Sequence, residues 1–471
     1  MDTKYTMKEY LMKQRKVNAF NLQEAKSNFM QVDKITLKDI GLFDNEESIG
    51  LISHLNFCKS NGGKIHLDHY LSNPLSTIAS IEQRQNAIAY FIGNINFVEA
   101  LKITNGTTLV IEKFFDTGFK RIPTQISLPA AYWFKFMSAS DYSLLHYSLG
   151  HLILFYENLN KWLAVFETIK DNPIIESLVQ KIRKYTNHPS LASLPASTKL
   201  ENPQTVLSFC HFFLYHYKNN TLQLLEYYYE LDAYYSMAMA SKNYNFVFPT
   251  WLDNDTPVFE VTGAIHPLVH NAVDNELSLS HQSNLLFLTG ANMAGKSTFI
   301  KTTGIVLYLA HIGIGVPAKK LALTLFDGLI TNLTIADNIV KGESYFFNEV
   351  QRIKNTIEKI IDSKKYFVLI DELFKGTNIQ DAMKCSSAVI EGLQNLRNSL
   401  FIISTHLYEI SDGLKGFDNI QFSYFETAVK EKELIFHYQL KKGVSQDRLG
   451  YLILEREGVV DLLKNISKNK Y

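Results

Sequence analysis

The chain has 471 residues, about three times the length of a typical single domain, so its length predicts two or three domains. Apolar residues make up 46% and charged residues 20%, a balance that excludes a disordered, collagen-like or coiled-coil chain. Lysine plus arginine and aspartate plus glutamate each number 47, so the net charge is zero. Any contact with DNA would therefore need a local basic patch.

The cysteines and the N-terminus indicate the cellular compartment of the protein. Cys58, Cys210 and Cys385 lie far apart without C-x-x-C spacing, which excludes a zinc ribbon and gives no disulfide framework. The N-terminus has no apolar core typical of a signal sequence, and the most apolar stretch, residues 142–156, is too short to span a membrane. We therefore expect a cytoplasmic protein that does not associate with membranes.

The N-terminal half predicts helices. Residues 1–39 are mixed and polar and predict an N-terminal arm with a short helix around residues 7–20. Residues 40–245 show apolar side chains at helical spacing, interrupted by a Gly62-Gly63 pair that predicts a break between two short helices. The dense aromatics after residue 125 could stack on bases, but their helical spacing is far more typical of a packed core. We predict a helical domain over residues 40–245.

At Phe246 the composition changes and predicts a second domain over residues 246–471. Alternating β-branched and aromatic residues come first, and strands and helices then alternate, which predicts a sheet with helices on its faces. The predicted strands lie at 285–290, 321–333, 366–371 and 399–405, and the predicted helices at 297–310, 348–361 and 381–396.

The segment from Gly290 to Ser297, GANMAGKS, fits the phosphate-binding pattern G-x-x-x-x-G-K-[ST] at every fixed position. It follows a predicted strand and precedes a predicted helix, the context that the pattern requires; the alternative is a chance loop. Backbone N–H groups would surround a phosphate, Lys296 would reach the β and γ oxygens, and Ser297 would bind magnesium. The predicted nucleotide-binding residues here are Gly290, Ala291, Asn292, Met293, Ala294, Gly295, Lys296, Ser297 and Thr298.

A second motif is the apolar strand that ends in Asp371 and Glu372. Asp371 would hold the magnesium ion, and Glu372 would polarise the attacking water. An apolar run followed by two acids is by itself more often a simple strand end. Together with the glycine-rich loop it predicts an enzyme that hydrolyses ATP with Mg²⁺.

Two further residues are candidates. His406 follows the strand after the one that ends in Asp371, so it could reach the γ-phosphate, although a lone histidine at a strand end is usually structural. Ser344 ends a glycine-serine turn ahead of a helix, which suits an anion site offered to a partner subunit and would otherwise be a helix cap.

The motifs together resemble those of the MutS family of DNA mismatch repair ATPases. LTGANMAGKST, ADNIVKGESYF, LIDELFKGTN and STHLYEI stand in the family's order and spacing. The segment HPLV at residues 266–269 and the segment LIFHYQLKKGVSQDRLGYLIL also resemble family motifs. The resemblance covers roughly residues 40–95 and 228–460.

This resemblance implies a fold and a set of roles. The fold class is α + α/β, a helical core and lever domain followed by an ABC-type P-loop ATPase domain. His406 would be the switch histidine, Ser344 would reach the nucleotide of the partner subunit in a homodimer, and Tyr438 would lie near the adenine. The remaining site residues would be Lys296 and Ser297 at the phosphates and magnesium and Asp371 and Glu372 as the acidic pair.

The sequence also departs from the family pattern. The chain begins where the helical core of the family begins, so we expect a short form without the N-terminal mismatch-recognition and connector domains. An F-x-E string, Phe97-Val-Glu99, continues an apparent helix and is not expected to intercalate. Tyr345 stands where the family usually has Thr, Leu373-Phe374 replaces Ile-Gly, and Asn378 replaces Ser.

These features predict an ATP-dependent DNA-binding protein in which a dimer closes around ATP and changes the grip of helical arms on DNA. We expect little selectivity for mismatches, a role in mismatch repair or recombination, and an unknown repair or recombination partner. The alternative is an ATP-driven switch whose arms hold a protein or an RNA. A basic stripe between the arms would favour DNA, and an apolar face would favour a protein.

Overall fold

The computed structural model of the chain describes residues 29–44, 48–119, 122, 126–167, 169, 172–196, 200–333, 345–362, 364–430, 433–445, 455, 458–459 and 462. The described residues form two compact units. The helical unit contains residues 55–73 and 79–243, and the α/β unit contains residues 30–54, 74–78 and the chain from Tyr244 onward.

In chain order the helices are α1 (Lys34–Asp39), α2 (Leu51–His54), α3 (Asn61–Leu71), α4 (Ile78–Gly93), α5 (Ile95–Ala100), α6 (Asn105–Asp116), α7 (Leu128–Met137), α8 (Ala139–Phe166), α9 (Pro173–Thr186), α10 (Pro189–Ala192), α11 (Pro203–His211), α12 (Lys218–Asn243), α13 (Lys296–Ile312), α14 (Tyr345–Ile360), α15 (Ile379–Leu393) and α16 (Ser411–Leu414). A π-helical turn lies at Phe212–His216 and a 3₁₀ turn at Tyr408–Ile410.

The strands are β1 (Gln31–Val32), β2 (Thr250–Trp251), β3 (Val258–Ala264), β4 (Asn275–Ser280), β5 (Leu285–Gly290), β6 (Lys320–Leu323), β7 (Gly328–Asn332), β8 (Tyr366–Asp371), β9 (Leu400–Ser404), β10 (Ile420–Lys430) and β11 (Glu433–Lys442).

The helical unit is built on α12, whose side chains are largely buried. The start of α3 packs tightly against it. Buried Asp232 on α12 accepts hydrogen bonds from the backbone N–H groups of Lys59 and Ser60 at 2.9 and 2.8 Å and from the Ser60 hydroxyl at 2.6 Å. The predicted break at Gly62-Gly63 is wrong, because both glycines lie in the first turn of α3, where a Cβ on Gly63 would lie 2.1 Å from Oδ2 of Asp232.

The α/β unit contains a seven-stranded sheet with the strand order β1-β7-β8-β9-β5-β10-β11. The first six strands are parallel, and β11 is antiparallel to β10. The central strands β5, β8 and β9 are apolar and buried almost throughout, as expected for parallel strands covered on both faces. A smaller sheet has the order β2-β6-β3-β4.

The N-terminal segment differs from the prediction. Residues 31–32, expected in an arm, form the edge strand β1 beside β7, and residues 40–54, expected in the helical domain, belong to the α/β unit. Asp39 in α1 fixes this segment, since its Oδ2 accepts hydrogen bonds from the Thr331 hydroxyl at 2.7 Å and the Leu333 N–H at 3.0 Å. The short helix expected at residues 7–20 lies outside the described residues.

The segment 321–333, expected as one strand, contains the end of β6 and the whole of β7, which belong to different sheets. Asp327 lies in the turn between them and accepts a hydrogen bond from the Lys365 N–H at 2.8 Å. The apolar pattern runs on through this turn, so the sequence gives no sign of the change of sheet.

Within the part of the chain that the structure describes, no helix combines the length and apolar character needed to cross a bilayer.

Candidate functional site

The glycine-rich loop joins β5 to α13 at the carboxyl edge of the parallel sheet. Its two ends depend on glycine. Gly290 has φ 138° and Gly295 has φ 109°, values that other residues rarely adopt. A Cβ on Gly290 would also lie 3.1 Å from the carbonyl oxygen of Phe425 on β10.

Lys296, the first residue of α13, extends back along the loop. Its Nζ donates hydrogen bonds to the carbonyl oxygens of Gly290 at 2.7 Å and Ala291 at 3.0 Å. Burial lowers the pKa of its ammonium below the ordinary value, and the nearby carboxylates of Glu372 and Asp371 oppose that shift. The loop thus encloses a cation that is bonded to neutral carbonyl groups. An anion could take the place of these carbonyls as its partner.

Asp371 lies at the end of β8 between two hydroxyl groups. Its Oδ2 accepts a hydrogen bond from the Ser297 hydroxyl at 2.5 Å, and its Oδ1 accepts one from the Ser404 hydroxyl. Ser404 is the register partner of Asp371 because β9 lies directly beside β8. Carboxylate and hydroxyl oxygens are hard ligands that suit Mg²⁺, so Ser297 and Asp371 fit the predicted metal.

Glu372 has a strained backbone, with φ 59°. Its N–H donates to the carbonyl oxygen of Ser404 at 3.0 Å, which ties the strand end to β9. The side chain lies 3.0 Å from the Lys375 ammonium and 3.9 Å from Nδ1 of His406. A left-handed residue costs about 1–2 kcal/mol, and such strain is often found at functional sites.

The loop after Glu372 is held by α14. Buried Glu349 accepts hydrogen bonds from the N–H groups of Lys375 at 3.1 Å and Gly376 at 3.2 Å. Burial raises the pKa of Glu349, and those N–H groups partly oppose this. Phe374 adds a packing contact, with its ring 5.7 Å from the ring of Phe346 on α14.

A cavity of about 750 Å³ opens beside the glycine-rich loop, a volume within the range of small-molecule sites. Tyr438 on β11 forms part of its wall, and its ring approaches the loop so closely that a Cβ on Gly295 would lie 3.2 Å from it. Asn275 holds this part of β11 by donating to the carbonyl oxygen of Tyr438 at 3.1 Å and accepting from the Leu440 N–H at 2.7 Å. Other lining residues are His266, Val269 to Val273, Asn292, Met293, Lys296 to Phe299, Glu372 and Lys375.

The structure thus brings together most of the residues that the sequence singled out. Lys296, Ser297, Asp371 and Glu372 meet at one sheet edge, and His406 lies beside Glu372 with its side chain 55% exposed. Ser344 lies outside the described residues.

Sequence reasoning missed four contributors to the site, namely Glu349, Lys375, Ser404 and Asn275. The signal for Ser404 was a hydroxyl at the end of an apolar strand, and that for Lys375 was a cation three residues after the acidic pair. Glu349 and Asn275 act through contacts across the fold and left no local signal.

The fold and the site define a class of protein: a helical unit joined to an α/β unit in which a glycine-rich loop meets an acidic strand end beside a cavity. Comparison with known proteins gives the family. Residues 286–466 match the family model described as MutS domain V. As its motifs predict, this part of the chain is a MutS domain V.

Several curated relatives carry the name DNA mismatch repair protein MutS. The chain is 30% identical to that of Petrotoga mobilis over 270 residues, which are 51% of this chain and 33% of the relative. It is 29% identical to that of Bacillus licheniformis over 249 residues, 51% of this chain and 28% of the relative. It is 30% identical to that of Thermus aquaticus over 234 residues, 49% of this chain and 27% of the relative. The match thus spans a third or less of the length of these relatives.

Proposed function

We propose that this chain is an ATP-dependent DNA-binding protein in which ATP binding and hydrolysis at a dimer interface control helical arms that grip DNA, in mismatch repair or recombination. The observation that carries the ATPase part is the convergence of Lys296, Ser297, Asp371 and Glu372 on one edge of the parallel sheet beside a cavity. The DNA part rests on the family and on the names of the relatives.

Each residue at this edge has a role that its contacts support. Lys296 would exchange its two loop carbonyls for phosphate oxygens. Ser297 and Asp371 would hold Mg²⁺, which neutralises charge on the phosphates when it is bound. Glu372 would accept a hydrogen bond from the attacking water, and His406, 3.9 Å away, would respond to the state of the nucleotide.

The other predicted contacts would complete the ABC-type arrangement. Tyr438, in the cavity wall beside Gly295, would stack on the adenine. Ser344 immediately precedes α14 and would reach the nucleotide of a partner subunit. The site would then be complete only in a dimer.

Substitution of Lys296 and Glu372 tests the ATPase. Lys296→Ala should weaken ATP binding at least tenfold, because it removes the cation at the phosphates. Glu372→Gln should keep binding and lower turnover at least a hundredfold, because an amide cannot accept the proton of water. Equilibrium binding of a fluorescent ATP analogue and phosphate release measure the two effects.

Lys301→Ala is a matched control, since Lys301 lies on the same helix α13 but not in the cavity wall. It should bind and hydrolyse ATP like the wild type. Equal turnover by wild type and Glu372→Gln would contradict the proposed role of Glu372.

A second candidate function, an ATP-driven switch that holds a protein partner, is favoured by the surface of α7. This helix exposes an apolar face to solvent, and Ala131 is the one residue of the helix that is fully buried. Its cation, Lys135, lies over the Tyr142 ring at 5.2 Å. The exposed side chains are Leu128, Tyr132, Trp133, Phe136 and Met137. Such a face suits an apolar partner better than phosphates, and the salt dependence of DNA binding separates the two functions.

A further inference from the structure

Lys375 is a second cation in the wall of the cavity, beside Lys296 and Ser297. Its Nζ lies 3.0 Å from Oε2 of Glu372, so the ammonium is bonded to the carboxylate that we assign to the attacking water. The side chain of Lys375 is 37% exposed and that of Glu372 is 17% exposed. The pair therefore lies at the boundary between the protein and the cavity.

The backbone of Lys375 is fixed, whereas its side chain can reach into the cavity. Glu349 accepts hydrogen bonds from the N–H groups of Lys375 and of Gly376. Gly376 lies against the first turn of α14 so closely that a Cβ on it would be 2.7 Å from the Phe346 nitrogen. A change of partner by the Lys375 ammonium thus needs rotation about side-chain bonds only.

The charges around the pair make such a change favourable when phosphate is present. Burial lowers the pKa of Lys375, but hydrogen bonding and attraction to Glu372 outweigh it, so the pKa is raised and the side chain stays cationic. The other titratable groups near the pair are Asp371, Tyr345, Lys296, Glu349 and His406, whose Nδ1 lies 3.9 Å from Glu372. A terminal phosphate carries more charge than one carboxylate and offers more acceptor oxygens, so it competes for the ammonium.

We propose that Lys375 senses the terminal phosphate of ATP: it holds Glu372 in an ion pair when the phosphate is absent and transfers its ammonium to a γ-phosphate oxygen when ATP binds. The transfer leaves the Glu372 carboxylate free to accept a hydrogen bond from water. A carboxylate bonded to an ammonium is a weaker acceptor, so the pair would keep the site at rest between cycles. This inference rests on the proposed ATPase function.

Equilibrium binding of two nucleotides tests it. Lys375→Met should weaken binding of the β,γ-imido analogue of ATP at least tenfold and binding of ADP no more than about twofold, because only the analogue carries the terminal phosphate. Lys375→Arg keeps the cation and should bind the analogue within about threefold of the wild type. The measured quantity is the ratio of the two dissociation constants with Mg²⁺, which a general loosening of the loop would not change.

Lys415→Met is the matched control, because Lys415 pairs with Asp412 at the same spacing of three residues, 2.7 Å apart, outside the cavity. It should leave both affinities unchanged. The inference would be overturned if Lys375→Met lost affinity equally for the analogue and for ADP, or lost affinity for neither. If the wild type binds neither nucleotide, the proposed ATPase function itself is wrong.

Discussion

Phe374 departs from the family pattern at a position where this chain has a left-handed backbone. It stands where the MutS motif has glycine, and its φ of 59° is the left-handed conformation that glycine adopts easily. The cost of about 1–2 kcal/mol is offset because the ring is buried and packs against Phe346. Phe374 thus combines a left-handed backbone with a ring that packs the loop after Glu372 against α14.

His311 is another residue whose role appears only in the fold. It is fully buried at the end of α13, where its Nδ1 lies 2.9 Å from the carbonyl oxygen of Leu75. The Phe326 N–H donates to its Nε2 at 3.4 Å. The ring is therefore neutral, with the proton on Nδ1, and burial lowers its pKa to about 4.

His311 should make the stability of the α/β unit depend on pH. The unfolded state takes up the proton near pH 6.5 and the folded state only near pH 4, so the contribution of His311 is complete above pH 6.5 and is lost as the pH falls towards 4. Between pH 7.5 and pH 5 the loss should be about 2 kcal/mol. Chemical denaturation of wild type and His311→Asn measures it, since Asn can keep the bond to Leu75. The difference in unfolding free energy between the two proteins should shrink by that amount, and a constant difference would contradict the assignment.

At the scale of elements, α3 packs closely against α12 in the helical unit. This closeness depends on Gly62 and Gly63, which leave room for the Tyr229 ring and the Asp232 carboxylate. Burial raises the pKa of Asp232, and its hydrogen bonds from Ser60 and Lys59 oppose that shift. Asp232, 172 positions further along the chain, thus fixes Ser60, the residue whose hydroxyl caps α3 by accepting a hydrogen bond from the Gly63 N–H.

Gly63→Ala should destabilise the helical unit by about 2–3 kcal/mol, although alanine favours helices by about 1 kcal/mol. The reason is that the new Cβ would overlap the Asp232 carboxylate. Thermal unfolding followed by circular dichroism measures the change. Gly93→Ala is the matched control, since a Cβ on Gly93, at the end of α4, would meet nothing within 4 Å. It should leave the melting temperature unchanged or raise it. An equal fall in the melting temperature of both variants would show that the contact between Gly63 and Asp232 is loose.

At the scale of the whole molecule, the charge balance limits how DNA can be bound. The net charge is zero, so any affinity must come from local groups and must fall with salt. Reading a mismatch usually requires an aromatic wedge between base steps. The string Phe97-Val-Glu99 lies within helix α5, where Glu99 accepts a hydrogen bond from the Tyr235 hydroxyl at 3.5 Å, so its geometry is that of a packed helix.

Perfect and mismatched duplexes should therefore bind with affinities within about tenfold of each other, that is, within about 1.4 kcal/mol. If the proposed helical arms grip DNA, branched DNA should bind at least as well, because two arms could contact two duplexes. Titrations at several salt concentrations, with and without a non-hydrolysable ATP analogue, measure this. A larger preference for a single mismatch would show a reading element that we have not identified. The absence of salt-dependent binding to any of these DNAs would favour the protein-binding switch.

The sequence by itself determined the parts of this protein that depend on neighbours in the chain. The loop from Gly290 to Ser297 and the acidic pair at Asp371 were predictable because strand, loop and helix are set by local spacing and by the conformational freedom of glycine. The tertiary structure decided which distant residues complete the site. Strand order placed Ser404 beside Asp371, and packing of α14 placed Glu349 under the loop that carries Lys375. The tertiary structure also made residues 31–32 an edge strand. These contacts depend on register and on the direction of buried side chains, which only the folded chain fixes.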